Sequence, residues 1–287
     1  MSDTRLTYDE RQVAGITLGE IRLDSDSGVN PLSGSTVRAM RERLRSVASA
    51  DGPHAVTVSA SGRCFCAGAD VKEFRRFDEA AFRDYMTEIL AMYADMIEVG
   101  KPIISVVHAD ARGGGAALAF CSDFVIAADT ARFALPEAHR GLAGGGYLMP
   151  RLIGKHRAAE MVLLGRDFSA ADMLAMGLVN EVCAVPDLNA RTEALVAELA
   201  RIPASAFAVG KRSLAGGLSV GLREAMAWHV QAQADAFMRG RAEGHAQSRT
   251  EGHVEGHEEG RAEGRLEDHA EDRADGHAKD RTEGRAG

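Results

Sequence analysis

Two apolar stretches in this chain each run through glycine into a helical pattern, and that repetition limits the folds open to it. His54–Ala60 (HAVTVSA) alternates as a half-buried strand does. It leads into Gly62–Phe74 (GRCFCAGADVKEF), where Gly68 is the permissive turn residue before a helix start. Pro102–His108 (PIISVVH) is the second strand, and Gly113-Gly114-Gly115 is its helix entry. The first turn of a helix has no internal partners for its N–H groups. The Ala69 N–H is therefore a candidate donor to a developing negative charge. Two such N–H groups converging on one oxygen form an oxyanion hole. Strand, turn and helix repeated ahead of a helical end imply an α/β core.

Three stretches carry a resemblance to a known family. Phe65–Glu73 (FCAGADVKE) resembles the AFxAGADxKE motif of the crotonase family, the enoyl-CoA hydratases and isomerases. Lys101–Asp123 (KPIISVVHADARGGGAALAFCSD) resembles that family's KPxIAAVNGxAxGGGxxLAxxCD, and Phe133–Gly141 (FALPEAHRG) its FxxPExxxG. The three stand in the family's order and spacing, and the resemblance covers residues 5–240 or so. It implies an α/β spiral of ββα units over 1–200, a helical C-terminal segment over 201–240, and assembly as a homotrimer or dimer of trimers. Leu23–Ser33 is similar to the family's LxxPPVNxLS, with Asp26-Ser27-Gly28 where prolines are common. The glycine loop Gly141–Gly146 is shorter than in many hydratases.

Composition narrows the function classes. A net charge of −8 argues against a nucleic-acid partner, which needs a basic face. No apolar run reaches the roughly 18 residues that suggest a membrane span. The N-terminus, MSDTRLTYDE, has no apolar signal core. Four cysteines do not make a disulfide framework in a chain of 287 residues. Cys64 and Cys66 lack a second cysteine pair, so they read as small residues beside a turn, and no metal site is expected. These features suggest a cytoplasmic protein.

Along the chain, Leu6–Tyr8 and Val13–Leu23 read as a strand pair. Ser33 or Ser35 caps a helix reaching about Ala48, with Val37, Met40, Leu44 and Val47 on its apolar face. A long helix runs from Glu79 to about Val99, its apolar side marked by Phe82, Met86, Ile89, Tyr93 and Met96. A buried helix, Gly115–Cys121, and a strand, Phe124–Ala128, follow the glycine entry. Further helices are expected near 147–152, 156–165, 169–177, 187–202, 203–216 and 220–238, with a short strand near 181–185. From Arg239 the sequence falls into tetrads such as EGHA and EGRA. Glu stacked on Glu at i, i+4 and recurrent glycine oppose helix formation. Residues 241–287 are accordingly expected to be a disordered tail. His253 and His257 would stand one turn apart if that segment were helical, but a repeat without function is the preferred reading.

The resemblance assigns the chemistry. It implies that the N–H groups of Ala69 and Gly114 hold the thioester carbonyl oxygen of an acyl-CoA, so that the α-carbon exchanges a proton through an enolate. Ala67, Asp70, Val71, Lys72 and Gly113 are the implied substrate-binding residues, with coenzyme A arriving as part of the substrate and no separate cofactor. Asp70 either lies along the nucleotide part or only caps a helix. Lys72, Arg75 and Arg76 are either a solvated face or a phosphate contact. The family's hydratases use two glutamates. The second stands here as Glu137, but the first position is Ala117. One carboxylate can take a proton at one allylic carbon and return it two carbons along, as in the family's Δ3,Δ2-enoyl-CoA isomerases. Double-bond isomerisation with Glu137 as shuttle is therefore expected ahead of hydration. Decarboxylation, thioester hydrolysis or an inactive CoA-thioester-binding scaffold are the alternatives. Asp110 and His139 are further candidates to assist the proton transfer.

Overall fold

The computed structural model describes residues 4–254. The chain opens with a hairpin of β1 (Arg5–Val13) and β2 (Ile16–Asp24), turned by Ala14 and Gly15, both at positive φ. The first strand is thus longer than the stretch read from the sequence, and the second begins only at Ile16, with Gly19 inside it. The hydroxyl of Ser33 accepts from the Thr36 N–H and starts α1 (Gly34–Val47), which buries Val37, Met40, Leu44 and Val47.

Each later turn of the chain lays one strand in a large sheet and one in a small sheet before entering a helix. β3 (Ala55–Ala60) leads to β4 (Cys64–Cys66), then α2 (Val71–Phe74) and α3 (Glu79–Glu98). β5 (Ile103–Val107) leads to β6 (Asp110–Arg112) and α4 (Gly114–Phe120). β7 (Phe124–Ala128) leads to β8 (Arg132–Ala134) and a single 3-10 turn, Pro136–Arg140. The large sheet has the order β1-β2-β3-β5-β7-β10, with β10 at Glu181–Cys183. It is parallel except for the opening hairpin. The small sheet has the order β4-β6-β8-β9, with β9 at Phe168–Ser169. Its first three strands are parallel. This is a mixed α/β spiral with a helical C-terminal region. Cys64 and Cys66 are buried residues of the short strand that leads into the Gly68 turn. β4 and β6 escape a sequence reading because three residues are too few to show a period.

The remaining helices are α5 (Met149–Val162, broken at Gly154), α6 (Ala170–Ala175), α7 (Leu188–Leu199), α8 (Ala204–Gly217) and α9 (Leu222–Val254). Residues 241–254 are thus helical where the sequence suggests disorder. A helix already nucleated upstream adds residues without a fresh nucleation cost. The rest of the expected disordered tail, with His257 as the partner of His253, lies outside the described residues. No described helix is long and apolar enough to cross a membrane.

A buried ion pair ties α8 to the sheet. Lys211 Nζ lies 2.6 Å from Asp123 Oδ2, with the two side chains 4% and 17% exposed. The Lys211 ammonium also donates to the Lys101 carbonyl, and Asp123 accepts from the Ile103 N–H. Removing one partner leaves a buried charge without its counter-ion. Lys211→Met is therefore expected to lower the unfolding free energy by about 3–5 kcal/mol, read from urea denaturation. A loss below about 1 kcal/mol would mean that solvent screens the pair as it does a surface pair.

Candidate active site

The three parallel strands of the small sheet end along one edge, and the candidate residues follow those ends. β4 is followed by Ala67-Gly68-Ala69, β6 by Gly113-Gly114, and β8 by Leu135-Pro136-Glu137. Register pairs Cys66 with Ala111 and Arg112 with Ala134, so the three exits are neighbours. Gly68 stands at φ +83°, and a Cβ there would lie 2.6 Å from the Arg112 carbonyl oxygen and 2.8 Å from the Gly114 nitrogen. A Cβ on Gly115 would collide with the Cys66 backbone. Glycine at both positions lets the N-terminus of α4 sit directly against the β4 exit.

Neither the Ala69 nor the Gly114 N–H has a hydrogen-bond acceptor among the described residues. Leu32 pairs with Ala69 in a parallel bridge, in which the Leu32 N–H donates to the Gly68 carbonyl at 2.8 Å and the Asp70 N–H donates to the Leu32 carbonyl at 3.1 Å. The bridge thus uses the groups either side of Ala69 and leaves the Ala69 N–H facing the other way. Gly114 opens α4, where the first N–H groups have no helical acceptor. The Cβ position of Gly114 lies 3.5 Å from the Ala69 nitrogen, so both donors border the same small space.

Glu137 completes the cluster from the third strand exit. Its Oε1 lies 2.7 Å from the Cβ position of Gly113, and its carboxyl also fills the Cβ position of Gly144. Two glycines therefore make the slot that the carboxyl occupies. Oε2 is buried and has no hydrogen-bond partner among the described residues. Burial pushes the Glu137 carboxyl above its ordinary value, opposed by its own backbone N–H and by the charge of Arg140.

Two cavities meet at this cluster, sharing Ala69, Gly114 and Glu137. The inner one, about 310 Å³, is lined by apolar and aromatic side chains, among them Phe82, Met86, Ile89 and Leu142. Ala117 also faces it. The outer one, about 260 Å³, is bordered by Ala67, Val71, Gly113, Arg112 and Arg140.

Of the residues expected from the sequence, Glu137, Ala69, Gly114, Ala67, Val71 and Gly113 come together around these cavities. Asp70 caps α2, its carboxylate accepting from the Lys72 N–H at 3.0 Å. The Lys72 side chain is exposed and lines neither cavity. Asp110 is turned into an ion pair with Arg112 at 2.8 Å and borders neither cavity. His139 is exposed, with Nε2 3.0 Å from the Leu164 carbonyl, and its ring packs against Gly165. Among the described residues, no cluster of side chains is suited to a metal ion. Arg112 and the hydroxyls of Tyr85 and Tyr93 belong to the site but are not read from the sequence. The one available signal is two tyrosines on the buried face of a helix, where each hydroxyl needs a partner.

A profile of the enoyl-CoA hydratase/isomerase family matches residues 14–255. A probable enoyl-CoA hydratase of Mycobacterium bovis is 30% identical over 224 residues, covering 77% of this chain and 86% of that protein. An enoyl-CoA isomerase/hydratase of Mycosarcoma maydis is 35% identical over 134 residues, covering 45% and 49%. The crystal structure of an enoyl-CoA hydratase of Mycobacterium smegmatis superposes with a TM-score of 0.76 at 28% identity, covering 81% of this chain and 91% of that one.

The burial of Glu137 sets a stability prediction. A carboxyl whose folded pKa lies above its unfolded value destabilises the fold once pH exceeds the unfolded pKa, and does not when both states are protonated. Glu137→Gln is therefore expected to raise the thermal midpoint near neutral pH. The gain should vanish as pH falls below the unfolded value. A variant less stable at neutral pH would show that the charge is compensated in the folded protein.

Proposed function

The chain belongs to the enoyl-CoA hydratase/isomerase family, and from that premise we propose that it moves a carbon–carbon double bond along the acyl group of a CoA thioester. The thioester carbonyl oxygen accepts from the Ala69 and Gly114 N–H groups. Glu137 takes a proton from C2 of a 3-enoyl thioester, and the resulting dienolate carries its charge on the held oxygen. The same carboxyl returns the proton to C4, so the double bond ends between C2 and C3. One observation carries this reading. Among the described residues lining the inner cavity Glu137 is the only charged one, and the family's other carboxylate position is Ala117 on the cavity wall.

The physical terms support it. Losing one oxyanion donor elsewhere costs on the order of 10²–10³ in rate, so a preorganised pair is a large part of the acceleration. A carboxyl raised by burial binds its proton more firmly than one in water, which suits a group that must both take and return it. The apolar inner cavity suits an uncharged acyl chain. Arg140 at the outer cavity favours the negatively charged coenzyme A portion, while Arg112 there is already paired with Asp110 and Asp167; exposed Lys72 and Arg75 stand nearby in sequence for its phosphates.

Hydration is the second reading, favoured by the hydratase names of the relatives. It would leave water activation to Glu137 alone, and acid–base assistance from a second group is typically worth about 10²–10⁴. The working assembly is read as a homotrimer or dimer of trimers. Leu214, Leu222, Trp228 and Phe237 on α8 and α9 are large apolar side chains left exposed in the single chain, a composition that suits an interface.

Purified protein offered a 3-enoyl-CoA of medium chain is expected to yield the 2-enoyl-CoA without gain of water, followed by chromatography and mass. Glu137→Gln should abolish that conversion while holding the thioester within a few-fold of the parent. Rapid water addition to a 2-enoyl-CoA would favour hydration, and tight binding with no turnover would favour the scaffold. Light scattering is expected to give three or six copies of the 30.5 kDa chain; a monomer would remove the assembly.

A further inference from the structure

α3 presents two buried phenols to the backbone segments that carry the two N–H donors. Tyr85 is 5% exposed and Tyr93 4%. They lie at i and i+8 on one helix, with Ile89 between them, so the helix rise sets their Cα atoms about 12 Å apart along its axis. The Tyr85 hydroxyl donates to the Leu32 carbonyl at 2.8 Å. That carbonyl also accepts the Asp70 N–H, so it is half of the bridge that brackets Ala69. The Tyr93 hydroxyl donates to the Gly114 carbonyl at 2.8 Å. Its oxygen stands 2.9 Å from the Cβ position of Gly114, against the residue whose N–H is the second donor.

These contacts are one step removed from the reacting oxygen. Gly114 has no side chain to hold its orientation, and glycine has the widest backbone freedom of any residue. Its segment is held on one side by the Gly113 N–H donating to the Ala134 carbonyl at 2.8 Å. Tyr93 supplies the hold on the other side. Burial raises the pKa of both phenols, so they remain protonated donors across the working pH range. Both rings also line the inner cavity, so the helix that grips the two donors is the wall against which an acyl chain packs.

We propose that Tyr85 and Tyr93 are positioning residues that fix the Ala69 and Gly114 N–H donors in register with one another, through hydrogen bonds to the Leu32 and Gly114 carbonyls. The inference rests on the reading of those two N–H groups as the oxyanion hole. Neither phenol touches the thioester oxygen, so their loss should leave binding largely intact and weaken polarisation of the carbonyl. A misplacement of about 1 Å costs roughly 10²-fold in rate, so Tyr93→Phe is expected to lower kcat about 10–100-fold with KM changed less than about threefold. Tyr85→Phe acts on one flank of the Ala69 bridge, where Asp70 still donates to Leu32, and should cost less.

The test uses the 3-phenylpropenoyl thioester of coenzyme A, whose conjugated chromophore absorbs at longer wavelength as its carbonyl is polarised. Bound to the full-length protein it is expected to shift to the red. The shift should fall by half or more in Tyr93→Phe, and by a smaller amount in Tyr85→Phe, at unchanged probe affinity. A full red shift and full kcat in both variants would overturn the proposal while leaving the oxyanion hole standing. Binding without any red shift in the parent protein would overturn the hole itself and the proposal with it. Each substitution removes a single oxygen, and circular dichroism checks the fold; should Tyr93→Phe not fold, Tyr85→Phe decides alone.

Discussion

The parallel pairing of β4, β6 and β8 is the constraint on which the rest of the site depends. Parallel neighbours send their chains out along the same edge, so residues far apart in sequence leave the sheet side by side. Such short strands supply little stability of their own. They are held by what surrounds them. Phe65 of β4 and Phe133 of β8 are fully buried, and Phe133 stacks on Phe120 of α4 with ring centroids 5.6 Å apart. Asn30, fully buried and at positive φ, donates from its amide to the Ser61 and Cys64 carbonyls and so pins the approach to β4.

Within that edge, distance is set by missing side chains. Gly68 and Gly115 let the β4 exit and the α4 start touch backbone to backbone. Gly113 and Gly144 leave the slot that Glu137 fills. A Cβ at any of these positions would push apart groups that must act on one small volume. The slot also carries an energetic cost. Glu137 has a buried oxygen with no hydrogen-bond partner among the described residues, which lowers stability in return for a proton carrier of raised affinity.

The position of Ala117 gives the single carboxylate its meaning. Ala117 is on α4, almost fully buried, and borders the inner cavity. On the proposed reading this is the position of a second acid, and the residue there presents only a methyl group to the cavity. Asp110 does not replace it, because Arg112 draws its carboxylate away. His139 does not either, because it lies outside the cavity with its ring against Gly165. On the proposed reading Glu137 is the one proton carrier at the cavity, and one carrier is what moving a proton between carbons requires.

Much of the secondary structure was legible in the sequence because burial imposes a period. Val37, Met40, Leu44 and Val47 repeat at helical spacing and are buried; Ser33 caps where a hydroxyl should; Phe124–Ala128 is a strand over the residues read as one. The glycine turn at Gly68 likewise marked Ala69 as a candidate donor, and the family resemblance marked Gly114 and Glu137; the structure brings the three together. β10 lies within the short strand expected near 181–185, but the three-residue strands β4, β6 and β8 were not legible, because no period fits in them. Nor were the partners of polar side chains: Asp110, Tyr85 and Tyr93 have the same identity whether they face a ligand or a carbonyl. The sequence by itself determined which residues are candidates for the chemistry and, for many of them, which elements they begin or end. Only the tertiary structure decided which of them share a volume, because that depends on strand pairing and helix packing between segments distant along the chain.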